Sequence, residues 1–208
     1  AYARALYVDK SKNLWIGTNG DGLKKVNFPY KKFYAYNSHS PVSNLVKSIY
    51  ADSQYIYVGY FNNGMDLFDR VGGFRKNVRF TQPKYGAGNC VYAIAPLSKD
   101  ELLVDVMTDN GICVYETTTG KIIDITPLLE RLVPGIKRSL TRYPFLYRFR
   151  NGRILTVAGE YLFWLNDSGN ATIHPELLRR LGGETPGCCF EGANGNLWVG
   201  TMNGVYSF

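Results

Sequence analysis

The chain has 208 residues, 45% hydrophobic and 14% aromatic, with 22 Gly, 16 Tyr and a formal net charge of +7. That composition supports a sizeable core in one or two domains, and no apolar run reaches the roughly 18 residues needed to cross a bilayer as a helix, so this segment is expected to lie outside the membrane. The aromatic and Gly bias points to short strands joined by tight turns and argues against a helical protein.

In chain order, an apolar strand at 5–8 is followed by the polar turn DKSKN (9–13), a second strand LWIGT (14–18), a third GLKKVN (22–27) and a fourth KKFYAY (31–36). The same order returns at 46–50, ADSQ (51–54), 56–60, GMDLFD (64–69) and FRKNVRF (74–80). It returns at 91–95, SKDE (98–101), 102–106, GICVYE (111–116) and GKIIDIT (120–126), and at 145–149, RNGR (150–153), 154–158, YLFWLN (161–166) and GNATIH (169–174). A last, shorter copy holds 188–190, GANGN (192–196), 197–201 and GVYSF (204–208). The second residue of each second strand falls at 15, 57, 103, 155 and 198, at spacings of 42, 46, 52 and 43 residues, which is the period of a four-stranded blade.

The fold class is therefore all-β: propeller blades of four antiparallel strands, over about 3–36, 45–80, 90–126 and 144–174, with a partial fifth at 187–208. A single twisted sheet buries neither face, so neighbours must stack on both sides, and central strands then read as continuous apolar runs. Trp15, Tyr57 and Trp198 are expected to fill the space between blades, and Gly17, Gly59 and Gly200 to let the next backbone approach. PLLERLV (127–133) and PELLRRL (175–181) begin with Pro and carry Leu at helical spacing, which predicts short helical inserts.

Basic residues are scattered with no run of five, and read as solvated faces with a lean towards acidic ligands; no nucleic-acid partner is expected. Cys90, Cys113, Cys188 and Cys189 show no C-x-x-C pair and read as buried free thiols, with a Cys90–Cys113 bridge as the alternative. His39 and His174 have no ligand cluster in sequence, so no metal and no cofactor is expected. Nucleotide-binding, zinc-protease and serine-hydrolase signatures are absent, and carboxylates such as Asp52, Asp66, Asp105, Asp109 and Glu160 read as turn-makers, so no catalytic residue is assigned. For ligand binding, Tyr60, Asn62 and Asn63 occupy the loop after the second strand of the second blade, where polar and aromatic groups suit sugars. Arg142, Tyr143, Arg148 and Arg150 surround the first strand of the fourth blade and suit an anionic sugar.

NLWIGTNGDGLKKVN (13–27), preceded by Asp9, and GNLWVGTMNGVYSF (195–208) closely resemble the two-component regulator propeller repeat. The second copy (Asp52, Tyr57, Gly59, Gly64) matches moderately, and the third and fourth only in rhythm. The resemblance implies a fragment of a seven-bladed propeller in the periplasmic part of a membrane-anchored sensor histidine kinase, of the hybrid two-component kind found in Bacteroides. It implies an oligosaccharide ligand, regulation of polysaccharide-utilisation genes through the kinase, and no catalysis in this segment. Implied partners are the remaining blades or a second propeller of the same chain. The absence of an initiator Met or leader fits a segment of something longer, and uncovered blade faces would favour self-association, including a homodimer. The alternatives are a protein-interaction propeller without a small ligand, and a propeller polysaccharide lyase or hydrolase.

Overall fold

The computed structural model describes all residues except 1, 28–31, 37–42, 81–88, 108–110, 135, 137–144, 159–160, 167–169, 174 and 185. It is all-β apart from two short helices, and its contacts divide it into two compact units, Ala1–Ile94 and Ala95–Phe208. No helix among the described residues is long and apolar enough to cross a membrane.

The first unit holds two four-stranded antiparallel sheets in sequential order. The first is β1 (Ala3–Val8), β2 (Leu14–Thr18), β3 (Leu23–Asn27) and β4 (Lys32–Tyr36); the second is β5 (Val46–Ala51), β6 (Tyr55–Tyr60), β7 (Met65–Asp69) and β8 (Phe74–Val78). The turns after β2 and β6 close by Thr18 N–H to Gly22 O at 3.0 Å and Tyr60 N–H to Gly64 O at 2.9 Å. Both glycines sit at φ 71°, and a Cβ on Gly64 would lie 2.2 Å from Val78 O, so side chains are excluded there twice over. Between the sheets lies one core of Trp15, Leu23, Val46, Ile56, Val58, Tyr60 and Phe68. Gly17 makes that packing reachable: a Cβ on it would meet Val46 Cγ1 at 2.5 Å, and one on Gly59 would meet Val91 Cγ1 at 2.6 Å.

A third sheet is built from β9 (Cys90–Pro96), β10 (Glu101–Met107), β11 (Ile112–Glu116) and β12 (Ile122–Asp124), with β9 crossing the boundary between the units. The second unit continues with α1 (Thr126–Leu132), the four-stranded sheet β13 (Phe145–Arg148), β14 (Ile154–Ala158), β15 (Tyr161–Leu165) and β16 (Ala171–Ile173), then α2 (Pro175–Arg180). It ends in a three-stranded sheet of β17 (Cys188–Glu191), β18 (Leu197–Gly200) and β19 (Val205–Ser207). Leu103 of β10 packs with Ile154 and Phe163 of the next sheet in one core, to which α1 adds Leu129. Leu155 of β14 packs with Val199 in another, to which α2 adds Leu177 and the residue following it, Leu181. Each helix thus plugs the sheet stack with a leucine, and Pro at the start of α1 lacks only an N–H that no helical carbonyl would have received.

Candidate functional site

The second strands hold their aromatic residues by a carboxylate from the preceding turn. Asp9 Oδ2 accepts the Trp15 indole N–H at 3.0 Å and the Asn13 amide at 3.0 Å, while Asp52 Oδ2 accepts the Tyr57 hydroxyl at 2.7 Å. Burial works against ionisation of Asp9, but the donors from Trp15 and Asn13 outweigh it and hold the carboxyl below its usual range. Trp198 stands at the equivalent place in β18, yet Gly192 occupies the acidic position and no described sheet covers that face. Trp198 is therefore 44% exposed where Trp15 is 0% exposed.

Of the residues expected at the ligand site, Tyr60 and Asn63 turn inward. Tyr60 is fully buried, and burial, followed by the nearby Asp66 carboxylate, pushes its hydroxyl far above the usual range. Asn63 is fully buried as well: its carbonyl accepts Asn77 Nδ2 at 2.9 Å, its Oδ1 accepts Arg79 Nη2 at 3.0 Å, and Asn77 also donates to Asp66 Oδ1 at 2.7 Å. Asn62 keeps partial exposure at φ 63°, with its N–H on Cys90 Sγ at 3.2 Å and its Oδ1 taking the Cys90 thiol proton at 2.8 Å. Tyr60 and Asn63 thus anchor the turn, which leaves Phe61 and Asn62 on its outer side.

Beside Phe61 lies a group that the sequence did not disclose. β5 pairs with β6 through a register shift between Val46 and Ser48, so Lys47 is the extra residue of a bulge. Its Nζ sits 5.5 Å from the Phe61 ring centre and 5.3 Å from that of Tyr92, within cation–π range of both. The same shift occurs in β1 between Ala3 and Ala5, and there the extra residue is Arg4, whose guanidinium lies 4.7 Å from the Tyr2 ring centre. A bulge re-aims the residue it carries, and in both sheets that residue is a cation set against an aromatic ring. The faint signal was a basic residue at nearly the same distance ahead of Trp15 and Tyr57.

In the second unit, Arg148 donates through Nη1 to Pro96 O and, at 2.8 Å, to Leu97 O; Arg150 donates its backbone N–H to Glu191 Oε2 at 2.9 Å and Nη2 to Glu191 O at 3.3 Å. These bonds tie β13 and its following turn to the sheets on either side. Arg142, Tyr143, Asp109, Glu160 and both histidines lie outside the described residues. All four cysteines are free.

Four successive four-stranded antiparallel sheets, each with a buried aromatic or leucine on its second strand, followed by a three-stranded fifth, define the class: the chain is built of β-propeller blades. Within that class, the family model described as "Two component regulator propeller" matches residues 1–20, the turn and strands that hold Asp9 and Trp15. Comparison with curated sequences gave no significant match. Among solved structures, the chain is similar to the extracellular domain of the hybrid two component system BT3049 from B. thetaiotaomicron, with a TM-score of 0.72, 16% identity, and coverage of 99% of this chain and 27% of that one. A B. thetaiotaomicron extracellular domain from BT4673 gives 0.71, 16% identity and coverage of 99% and 28%, and the WD40 β-propeller domain of Doa1 gives 0.66, 11%, 99% and 62%. The chain thus spans roughly a quarter of the two extracellular domains (27% and 28%), and at these identities the likeness is one of fold.

Proposed function

We propose that the chain is part of the extracytoplasmic, ligand-sensing propeller of a hybrid two-component sensor histidine kinase. It binds an oligosaccharide, without catalysis, and through the kinase regulates genes for polysaccharide use. The observation that carries this reading is the regulator-propeller match in the first blade, joined to the fold shared with extracellular domains of two-component systems. The propeller would lie in the periplasm, with its parent anchored in the inner membrane.

Lys47, Phe61, Tyr92 and Asn62 form the binding patch in this reading. Two rings offer stacking faces to a pyranose, Lys47 offers a charge to a uronate or sulfate, and Asn62 offers hydrogen bonds at the edge. Tyr60 and Asn63 shape the turn from beneath. Arg142, Tyr143, Arg148 and Arg150 make a second candidate patch in the other unit. Calorimetry of the chain against neutral, uronate-bearing and sulfated oligosaccharides tests the reading. Binding of an acidic oligosaccharide that weakens at least tenfold in Lys47→Ala, and little in the double variant Arg148→Ala/Arg150→Ala, supports the Lys47 patch. The reverse pattern moves the site to the second unit, and no heat with any saccharide class sinks the sugar reading in favour of a protein partner.

A further inference from the structure

The turn that carries Phe61 and Asn62 is pinned on both sides by the chain segments that bring Lys47 and Tyr92 to it. Phe61 N–H donates to Leu45 O at 2.9 Å, just ahead of Lys47, and Gly64 N–H donates to Asn89 O at 2.7 Å, just ahead of Tyr92. Between these ties sits Cys90, 1% exposed. Its Sγ accepts the Asn62 backbone N–H at 3.2 Å, and its own proton goes to Asn62 Oδ1 at 2.8 Å. Burial pushes the Cys90 thiol up, against the opposing pull of the Asn62 N–H and the Lys47 charge. At neutral pH the sulfur therefore keeps the hydrogen that the bond to Oδ1 needs.

A side-chain amide is nearly symmetric in shape, and only its partners decide which end is oxygen. The sulfur already accepts one N–H and has a single hydrogen to give, so Cys90 takes the oxygen of Asn62 and leaves Nδ2 to other partners. No described residue accepts from Nδ2, and no described carboxylate pairs with Lys47. Lys47 Nζ lies over the ring of Phe61, the residue beside Asn62, and its charge is felt at the Cys90 sulfur. Lys47 and Asn62 thus present donors alone, three on Nζ and two on Nδ2. A sugar hydroxyl meeting them must place its own hydrogen elsewhere, whereas an oxyanion has none to place.

Resting on the Lys47 patch of the proposed function, we propose that Cys90 is the positioning residue that sets its specificity. By holding the Asn62 oxygen it makes the amide a second donor beside Lys47, and the pair receives the carboxylate or sulfate oxygens of an acidic sugar in preference to a neutral one.

Nuclear magnetic resonance of the chain with glucuronate, and with glucose as the neutral ring of the same size, tests this at the level of one sugar. The Asn62 side-chain amide protons should shift on adding glucuronate and respond far less to glucose. Cys90→Ala frees the amide to rotate and should weaken glucuronate about fivefold, the worth of one ordinary hydrogen bond. Cys90→Ser, whose hydroxyl can accept the Asn62 N–H and donate to Oδ1, should restore it. Asn62→Asp keeps the shape and suits the φ of 63°, yet puts a negative acceptor in place of the amide, and should abolish the glucuronate response. Amide signals that ignore glucuronate or follow glucose equally overturn the assignment. So does full affinity in Cys90→Ala, a loss that Cys90→Ser does not restore, or an Asn62→Asp variant that still responds. Single-sugar responses as expected, with no calorimetric heat from any oligosaccharide, would sink the oligosaccharide reading and leave the role of Cys90 standing. Oligosaccharide binding that leaves the Asn62 amide unmoved would do the reverse.

Discussion

At the residue scale, the contrast between Asp9 and Asp105 shows how one side-chain type serves opposite ends. Asp9 is surrounded by donors from Trp15 and Asn13 and stays ionised. Asp105 stands in the third sheet where Gly17 and Gly59 stand in the first two. It is only 4% exposed, and burial pushes its carboxyl up to about 8, with the Phe145 backbone N–H as the group opposing the shift. An acid whose folded-state value is raised binds its proton more tightly in the native than in the unfolded chain. Its stabilising contribution is complete below the unfolded value near 3.8 and is lost progressively up to about 8. Stability should therefore fall as pH rises from 5 to 7.5, by up to about 1.4 kcal/mol per unit from this group alone. Asp105→Asn removes the titration and keeps the shape. Urea unfolding at the two pH values should give a clearly flatter dependence for the variant, and equal slopes would show that Asp105 is not the group responsible.

At the element scale, the turn before the second strand recurs with one omission. Asp9 N–H donates to Asn13 O at 3.0 Å, and Gly192 N–H donates to Asn196 O at 2.8 Å, so the backbone closes the same loop with a carboxylate in one and a hydrogen in the other. A Cβ at Gly192 would lie 3.7 Å from the Trp198 indole nitrogen, and its tightest neighbour, at 2.9 Å, is the tip of the Asn194 side chain, which can swing aside. Gly192→Asp should therefore supply the missing indole acceptor and stabilise the chain by about 1 kcal/mol, less than a fully buried bond would give, because Trp198 is half exposed. A rise in thermal midpoint together with a shift in indole emission is the expected result; an unchanged or lowered midpoint would mean the loop cannot take the side chain. The same comparison shows what the letters could reveal. NLW marks the first and last sheets because a tryptophan at that place in the second strand is a rare, recognisable choice. In the third and fourth sheets, the ordinary residues Leu103 and Leu155 take the same buried place, so only spacing betrayed them. The bulges that aim Arg4 and Lys47 were not legible, since a bulge is defined by pairing with β2 or β6 and leaves no local mark. Tyr60 and Asn63 have the alphabet of a binding loop, yet Asp66, Asn77 and Arg79 draw that polarity inward.

At the scale of the whole molecule, a charge of +7 can act in two ways on an acidic ligand: as a diffuse field or through a few aimed cations. Lys24, Arg75 and Lys121 pair with Asp21, Asp69 and Glu116, and none of these pairs draws on Arg4 or Lys47, which are set against aromatic rings. A diffuse field is screened beyond about 8 Å at physiological ionic strength and would make affinity fall with salt by several powers. A patch built on one lysine between two rings neutralises one charge, so the logarithm of affinity should fall with the logarithm of salt at a slope of roughly one or less. Titrating the chain with a sulfated oligosaccharide from 50 to 500 mM salt should give that shallow slope, and Lys47→Ala should bring it close to zero along with the loss of affinity. A slope of several units that survives the substitution would assign the binding to the scattered basic surface, and the two rings would then have no part in it.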